Sequence, residues 1–332
     1  MHNKFKVKYN SPLENIVSDK LGLPTEILEY IDNINGDILY YVIRDYSYLS
    51  VYDGQTNKKI QTINMTNGSS SAIDISPTEN TIAIVNSKNN IILWDISTNN
   101  SLWIINNYDT GFVSKDEPLH IKFTQDGKFI ITYLENMIRI YESTTGSLIR
   151  KIKNTSESMI SFITCDFSGK TIITGYSSGE IKLFSFESGI LLNNINIHKK
   201  EISFIAINNE GTLLVSGSWD GNNYIWDLTQ NKIIHKLQFN KKIMSTMFFK
   251  PSTILNNIEF SFDGKYIIGV CDLNTYLWDI STGEHIKQLL DHSYSIFLND
   301  SKHQSLLSIN GSNCWSIGDE HPEEISINKI NL

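Results

Sequence analysis

A short strand-like segment recurs along the chain. LSVYD ends at Asp53, IILWD at Asp95, IRIYE at Glu142, IKLFS at Ser185, NYIWD at Asp227, TYLWD at Asp279 and a weaker SNCWS at Ser316. The intervals between these ends are 42, 47, 43, 42, 52 and 37 residues. Self-similarity at such a period marks an architecture of small units, each of which buries its apolar faces only against its neighbours. A repeat also accommodates the length, because 332 residues exceed the roughly 250–300 at which one ordinary core stops growing.

Within each interval the pattern is the same, and residues 202–239 show it best. ISFIAIN leads to the turn NEG, then TLLVSGS, the turn WDGN, NYIWDL, the turn TQN and KIIHKLQF. The first turn returns as QDGK at 125–128, FSGK at 167–170 and FDGK at 262–265, with glycine where a tight hairpin needs positive φ. Helices are disfavoured, since the apolar runs are short, β-branched and broken every few residues by Gly, Asn, Asp or Ser. Runs such as IILWDI and YIIGVC are apolar on both sides of the pleat, so they need cover on both faces. Sheets stacked between neighbouring sheets supply that cover.

The unit from His198 to Asp227 resembles a nearly complete WD40 repeat, and the resemblance extends from about Glu26 to the C-terminus. It implies an all-β fold, a WD40-type β-propeller of about seven four-stranded antiparallel blades spanning 26–332. In that family a His, a Ser or Thr, an Asp and a Trp form a hydrogen-bonded structural network. The matching positions are His198, Ser216 (or Ser218), Asp220 and Trp226. Other units depart from the pattern: Tyr52 and Tyr141 stand for the Trp in the first and third, and Phe184-Ser185 in the fourth. The sixth keeps Asp272 and Trp278 but has Phe239-Asn240 near the His position, and the seventh keeps His292 and Trp315 with Asn310-Gly311 in the turn.

Residues 1–25 are the least repeat-like and form a separate N-terminal segment. A closed propeller must join its first and last blades, and either FKVKYN at 5–10 or EISINKI at 324–330 could serve as the closing strand. LPTEILEYI is similar to the opening of an F-box, yet GDILYYVI follows so soon that EILEYID reads as the first strand of unit one. The repeats also resemble those that follow a BTB/POZ domain in giant DNA viruses, with no BTB region here. Scarcity of Ala and Arg points to an AT-rich genome. Two insertions lengthen the period, at 106–117 and 240–257, both between an outer strand and the next inner one. They carry the candidate partner contacts Tyr108, Phe112, Met244, Met247, Phe248 and Phe249. IMSTMFF reads somewhat better as an additional or displaced strand that covers its own blade.

These features favour a non-catalytic scaffold that binds other proteins across one propeller face. The alternatives are a substrate receptor of a ubiquitin ligase and an enzyme using the central channel, where the inner strands offer little beyond Ser161, Cys165 and Ser203. No catalytic, cofactor-binding or metal-binding residue is expected. Ser168-Gly169-Lys170-Thr171 mimics the end of a phosphate-binding loop, but Thr164 stands where its first Gly belongs. A formal net charge of −8 without a long basic run argues against nucleic acid. Absence of a long apolar run argues against membrane insertion, and three scattered cysteines suit a reducing cytoplasm.

Overall fold

The computed structural model describes residues 26–32, 38–45, 48–53, 58–64, 70–86, 90–106, 120–134, 137–154, 156–166, 168–237, 239, 254–255, 257–261, 263–271, 274–289, 292–298, 305–310 and 326–331. Every regular element among them is a strand. The first sheet holds β1 (Glu26–Asp32), β2 (Ile38–Asp45), β3 (Tyr48–Asp53) and β4 (Lys59–Asn64). The second holds β5 (Ser70–Ile75), β6 (Thr81–Asn86), β7 (Ile91–Asp95) and β8 (Asn100–Ile105). The third holds β9 (His120–Phe123), β10 (Phe129–Leu134), β11 (Met137–Glu142) and β12 (Leu148–Lys153). In the fourth are β13 (Ile160–Cys165), β14 (Thr171–Tyr176), β15 (Glu180–Ser185) and β16 (Leu191–Asn196). In the fifth are β17 (Ile202–Ile207), β18 (Leu213–Ser218), β19 (Asn223–Asp227) and β20 (Lys232–Lys236). The sixth comprises β21 (Asn257–Phe260), β22 (Tyr266–Cys271), β23 (Asn274–Asp279) and β24 (His285–Leu289). A last sheet has three described strands, β25 (His292–Leu298), β26 (Ser305–Asn310) and β27 (Ser326–Asn331).

Strands are antiparallel and run through each sheet in chain order. The first strand of each sheet packs on the first strand of the next, from β1 to β25. This is the all-β, WD40-type propeller arrangement that the repeat implies. EILEYID is strand β1, as its place before GDILYYVI suggests. The last sheet differs from expectation. Its third position is taken by β27, with Ser326 opposite Asn310, whereas SNCWS lies outside the described residues. Residues 5–10 lie outside them too, so of the two candidate closing strands only the C-terminal one is seen paired.

The core lies between sheets. Val42, Leu49 and Val51 of the first sheet pack with Ile75, Ile82 and Ile84 of the second. Ile131, Tyr133 and Ile140 of the third meet Ile160, Ile172 and Tyr176 of the fourth. Val215 and Ile225 of the fifth meet Ile258, Ile267 and Trp278 of the sixth. Hence β6 is buried at every one of its positions, and β22, which reads as apolar on both faces, is buried at all but its first. Each fully buried aliphatic side chain contributes about 1.5–3 kcal/mol.

The repeated polar residues are local caps. In the turn after the first strand of a unit, Thr124, Asp166, Asn208 and Ser261 accept from the N–H of Phe129 (3.1 Å), Lys170 (2.8 Å), Thr212 (2.9 Å) and Tyr266 (2.9 Å). After the third strand, the acidic residue of the motif does the same. Asp95 accepts from the Ser97 N–H at 2.6 Å, Asp227 from Thr229 at 2.8 Å and Asp279 from Thr282 at 3.0 Å. The carboxylate of Trp-Asp therefore has a turn to close, which accounts for its recurrence.

Two further sets of contacts join sheets. On the outer strands one equivalent residue reaches the third turn of the next sheet. Trp103 Nε1 donates to Ser143 O at 2.8 Å, Arg150 to Ser188 O at 3.5 Å, Asn193 Nδ2 to Asn231 Oδ1 at 3.0 Å, and His235 Nε2 lies 3.0 Å from Ser281 O. On the inner strands, Asp74 is 4% exposed and accepts from Lys122 Nζ at 2.7 Å and from the Phe123 N–H at 2.6 Å. Replacing Asp74 by Ala strands a buried amide and a half-buried ammonium, with an expected cost of about 2–3 kcal/mol in urea unfolding. Asp74→Asn still offers an acceptor to Phe123 and should lose less. Equal losses in the two variants would show that the amide bond contributes nothing.

Candidate functional site

The best-formed polar cluster sits in the fifth sheet. His198 occupies the loop between β16 and β17, with its side chain wholly inaccessible to solvent. Its Nε2 is 2.8 Å from the Oγ of Ser216, a fully buried residue on β18. Nδ1 faces the carboxylate of Asp220 at 3.3 and 3.4 Å. An ionised Asp220 can only accept, so Nδ1 carries the proton and Nε2 accepts from the Ser216 hydroxyl. Asp220 is also held by the N–H groups of Lys199 (2.9 Å) and Asn222 (2.8 Å). Ser218, the alternative to Ser216, serves beside it: it accepts from the Asp220 N–H at 3.1 Å and donates to Lys200 O at 2.9 Å. The cluster fastens the incoming loop 197–201 to the β18–β19 hairpin.

Electrostatics agree with a static clamp. Burial pulls the His198 pKa below its ordinary value, and the neighbouring Asp220 opposes this only in part. At Asp220 burial pushes the carboxyl up. The Lys199 and Asn222 amides and His198 outweigh it, so the group ends below the usual carboxylate range. The order Ser216–His198–Asp220 is that of a nucleophilic triad, but the Ser216 residue and the His198 side chain are fully buried, so the hydroxyl is held away from any substrate.

Trp226 stands apart from this group. Its register partner is Leu214, two residues along β18 from Ser216, and Tyr224 takes the place next to His198, ring centroids 5.2 Å apart. The indole packs instead against the cluster of Ile173, Ile181 and Leu183 in the fourth sheet. Its Nε1 has no hydrogen-bond partner among the described residues. The second sheet shows why. There Gln61, oriented to satisfy its neighbours, accepts from Trp94 Nε1 at 3.3 Å while donating to Ile96 O and Asn99. The equivalent of Gln61 before Trp226 is Asn193, which is shorter and gives its amide to Asn231.

Inner-strand polar groups are likewise engaged. The Ser161 hydroxyl donates to Ile202 O on the next inner strand and that of Ser203 to Leu255 O, two residues before β21, both at 2.9 Å. Burial pushes the Cys165 thiol up to about 12, far from a thiolate. No group of three or more His, Cys, Asp or Glu placed to hold a metal occurs among the described residues. No helix among the described residues is long and apolar enough to cross a membrane.

Tyr108, Phe112, Met244, Met247, Phe248 and Phe249 all lie outside the described residues. The structure adds a residue that sequence reasoning passed over. Trp219, in the hairpin next to Asp220, is 55% exposed. The available signal was its place in the turn WDGN, where an indole has no core to fill. The Trp219 backbone N–H donates to Glu201 O at 3.0 Å, so the ring is presented by a braced loop. Met159, 46% exposed, holds the equivalent position to Glu201 in the preceding unit, with its carbonyl accepting from Ser177 N.

Comparison with known proteins agrees with the repeat. The family model described as WD domain, G-beta repeat, matches residues 189–227, the unit that contains the His198 cluster. The chain is 30% identical over 132 residues to the periodic tryptophan protein 2 homolog of Schizosaccharomyces pombe, a match covering 39% of this chain and 14% of that protein. It is 26% identical over 172 residues to cilia- and flagella-associated protein 52 of Homo sapiens, covering 51% and 26%. It is also 22% identical over 225 residues to eukaryotic translation initiation factor 3 subunit I of Saccharomyces cerevisiae, covering 62% of each. The chain thus spans only a minor part of the first two relatives.

Proposed function

We propose that this protein is a non-catalytic scaffold that binds other proteins through the loop face bearing Trp219. The observation that carries the reading is the exposed indole on a rigid hairpin, fastened by the His198 cluster beneath it. Tryptophans presented in this way, with few rotatable bonds to freeze, are the residues that most often dominate binding energy at protein interfaces. In an antiparallel four-stranded unit, the loops that enter the first strand lie at the same end as this hairpin. The sequence assigns the apolar residues Phe248 and Phe249 to such a loop. One relative is by its name a subunit of an initiation factor, which accords with a role in assemblies.

The test is affinity purification of the tagged protein with mass spectrometry of what is recovered. Trp219→Ala is expected to lose partners retained by the wild type, with stability within about 0.5 kcal/mol of wild type because the side chain is exposed. A partner set unchanged in Trp219→Ala and in the Phe248→Ala/Phe249→Ala double variant would remove the loop face from the reading.

A further inference from the structure

We infer that the partner engages the loop face as an extended segment with two large apolar side chains four residues apart and a carboxylate midway, seated on Met159 of the fourth unit and Trp219 of the fifth. The inference rests on the loop-face reading and names what that face recognises. Among the described residues, Met159 and Trp219 are the exposed large apolar side chains that lie in loops at this end of the sheets. The others lie within strands or, at Ile190, just before β16.

Backbone contacts tie the two anchors into one block. The Ser177 N–H donates to Met159 O at 2.9 Å, and the Trp219 N–H to Glu201 O at 3.0 Å. Between these pairs the hairpin 177–179 lies directly on the loop 198–201, since a Cβ on Gly179 would stand 2.6 Å from His198 O and 2.8 Å from Lys200 O. The β18–β19 hairpin holds the same loop from the other side, where Asp220 accepts from the Lys199 N–H and Ser218 Oγ donates to Lys200 O, both at 2.9 Å. Four backbone segments therefore lie side by side, in the order 159, 177–179, 198–201 and 219. At about 5 Å per neighbouring backbone, the anchors stand about 15 Å apart.

Spacing and charge select the occupant. An extended chain advances about 3.3 Å per residue and returns a side chain to the same side every second residue, so positions i and i+4 reach both anchors. An amphipathic helix would lay further apolar residues along the strip at every third or fourth position. The middle of the strip does not suit them, because Ser178, Lys199 and Lys200 are exposed there. Neither lysine takes part in an ion pair among the described residues. Acids stand at the ends, Glu157 two residues before Met159 and Glu201 against Trp219, both exposed. A carboxylate at position i+2 meets the lysines, whereas one at either end would face an acid.

The probe is a random peptide library displayed on phage and selected on the full chain, after which the enriched peptide is labelled with fluorescein and titrated by anisotropy. The expected consensus has two large apolar residues four apart with Asp or Glu midway. Trp219→Ala and Met159→Ala should each weaken this peptide by about tenfold, with unchanged thermal melts because both side chains are exposed. Met159→Leu keeps the apolar bulk and should bind as the wild type does. The Lys199→Ala/Lys200→Ala double variant should lose about tenfold and most of the salt dependence. Peptides that need Trp219 and are indifferent to Met159 would overturn the two-unit site and leave the loop face standing. Peptides indifferent to Trp219, Met159 and both lysines would overturn both readings. A library that yields no consensus, or one without the acid, would overturn this inference alone, since purification with Trp219→Ala judges the loop face independently.

Discussion

Gly179→Ala is expected to lose about 3–4 kcal/mol of stability, although it adds a single methyl group in a turn. The residue lies at φ +91, where an L-residue with a Cβ is strained, at a cost of about 1–2 kcal/mol. Its Cβ would then sit 2.6 Å from the His198 carbonyl oxygen, 2.7 Å from that carbonyl carbon and 2.8 Å from Lys200 O. All three are backbone atoms of the loop that the His198 cluster immobilises, so no side chain can rotate away. Relief requires displacing the loop, and such overpacking costs about 1–3 kcal/mol more. Gly264→Ala separates the two effects. That glycine has φ +67 and nothing within 4 Å of the added atom, so only the conformational cost of about 1 kcal/mol remains. Urea unfolding of both variants should show a loss in Gly179→Ala at least about twice that in Gly264→Ala. Similar losses would mean that the loop 198–200 yields easily, and the clamp assigned to His198 would then be weak.

Much of this arrangement was legible because its causes are local. The strands follow from short β-branched runs, and the turns from their glycines, with Gly127, Gly169 and Gly264 all at positive φ. The His198, Ser216 and Asp220 grouping was legible for the same reason, since a buried imidazole has few ways to satisfy two nitrogens. Trp226 was not. Whether an indole finds an acceptor depends on what the preceding outer strand brings across, Gln61 in one unit and Asn193 in another. The outer contacts between sheets were hidden by the variety of residues that make them, since Trp103, Arg150, Asn193 and His235 share a position and a role but no residue type. In the last sheet, the repeat spacing pointed to SNCWS, while the strand paired with β26 begins ten residues after Ser316, at Ser326. Spacing alone does not rank a weak aromatic segment against a later run such as SINKIN.

Mild acid should weaken the fold through the same cluster, and removal of His198 should blunt that response. His198 is held neutral by burial, so its folded pKa lies below the ordinary value near 6.5. Between the two values the unfolded chain binds more protons than the folded one, so stability rises with pH across that window. The contribution is complete above about pH 6.5 and is lost as pH falls toward the folded value. His120 and His285 are also lowered by burial and act in the same direction. Asp220 adds a second stage at lower pH. Its folded pKa lies below the unfolded one, so its contribution is present above about pH 4 and is lost as pH falls through the folded value. His198→Ala is expected to cost about 3 kcal/mol at pH 7, from the cavity and from the Ser216 hydroxyl left buried without its partner. In urea unfolding at pH 7 and pH 5, the wild type should lose more stability between the two conditions than His198→Ala does. Identical pH dependence in the two proteins would show that the proton is taken up elsewhere, and His120 and His285 would be the groups to replace next.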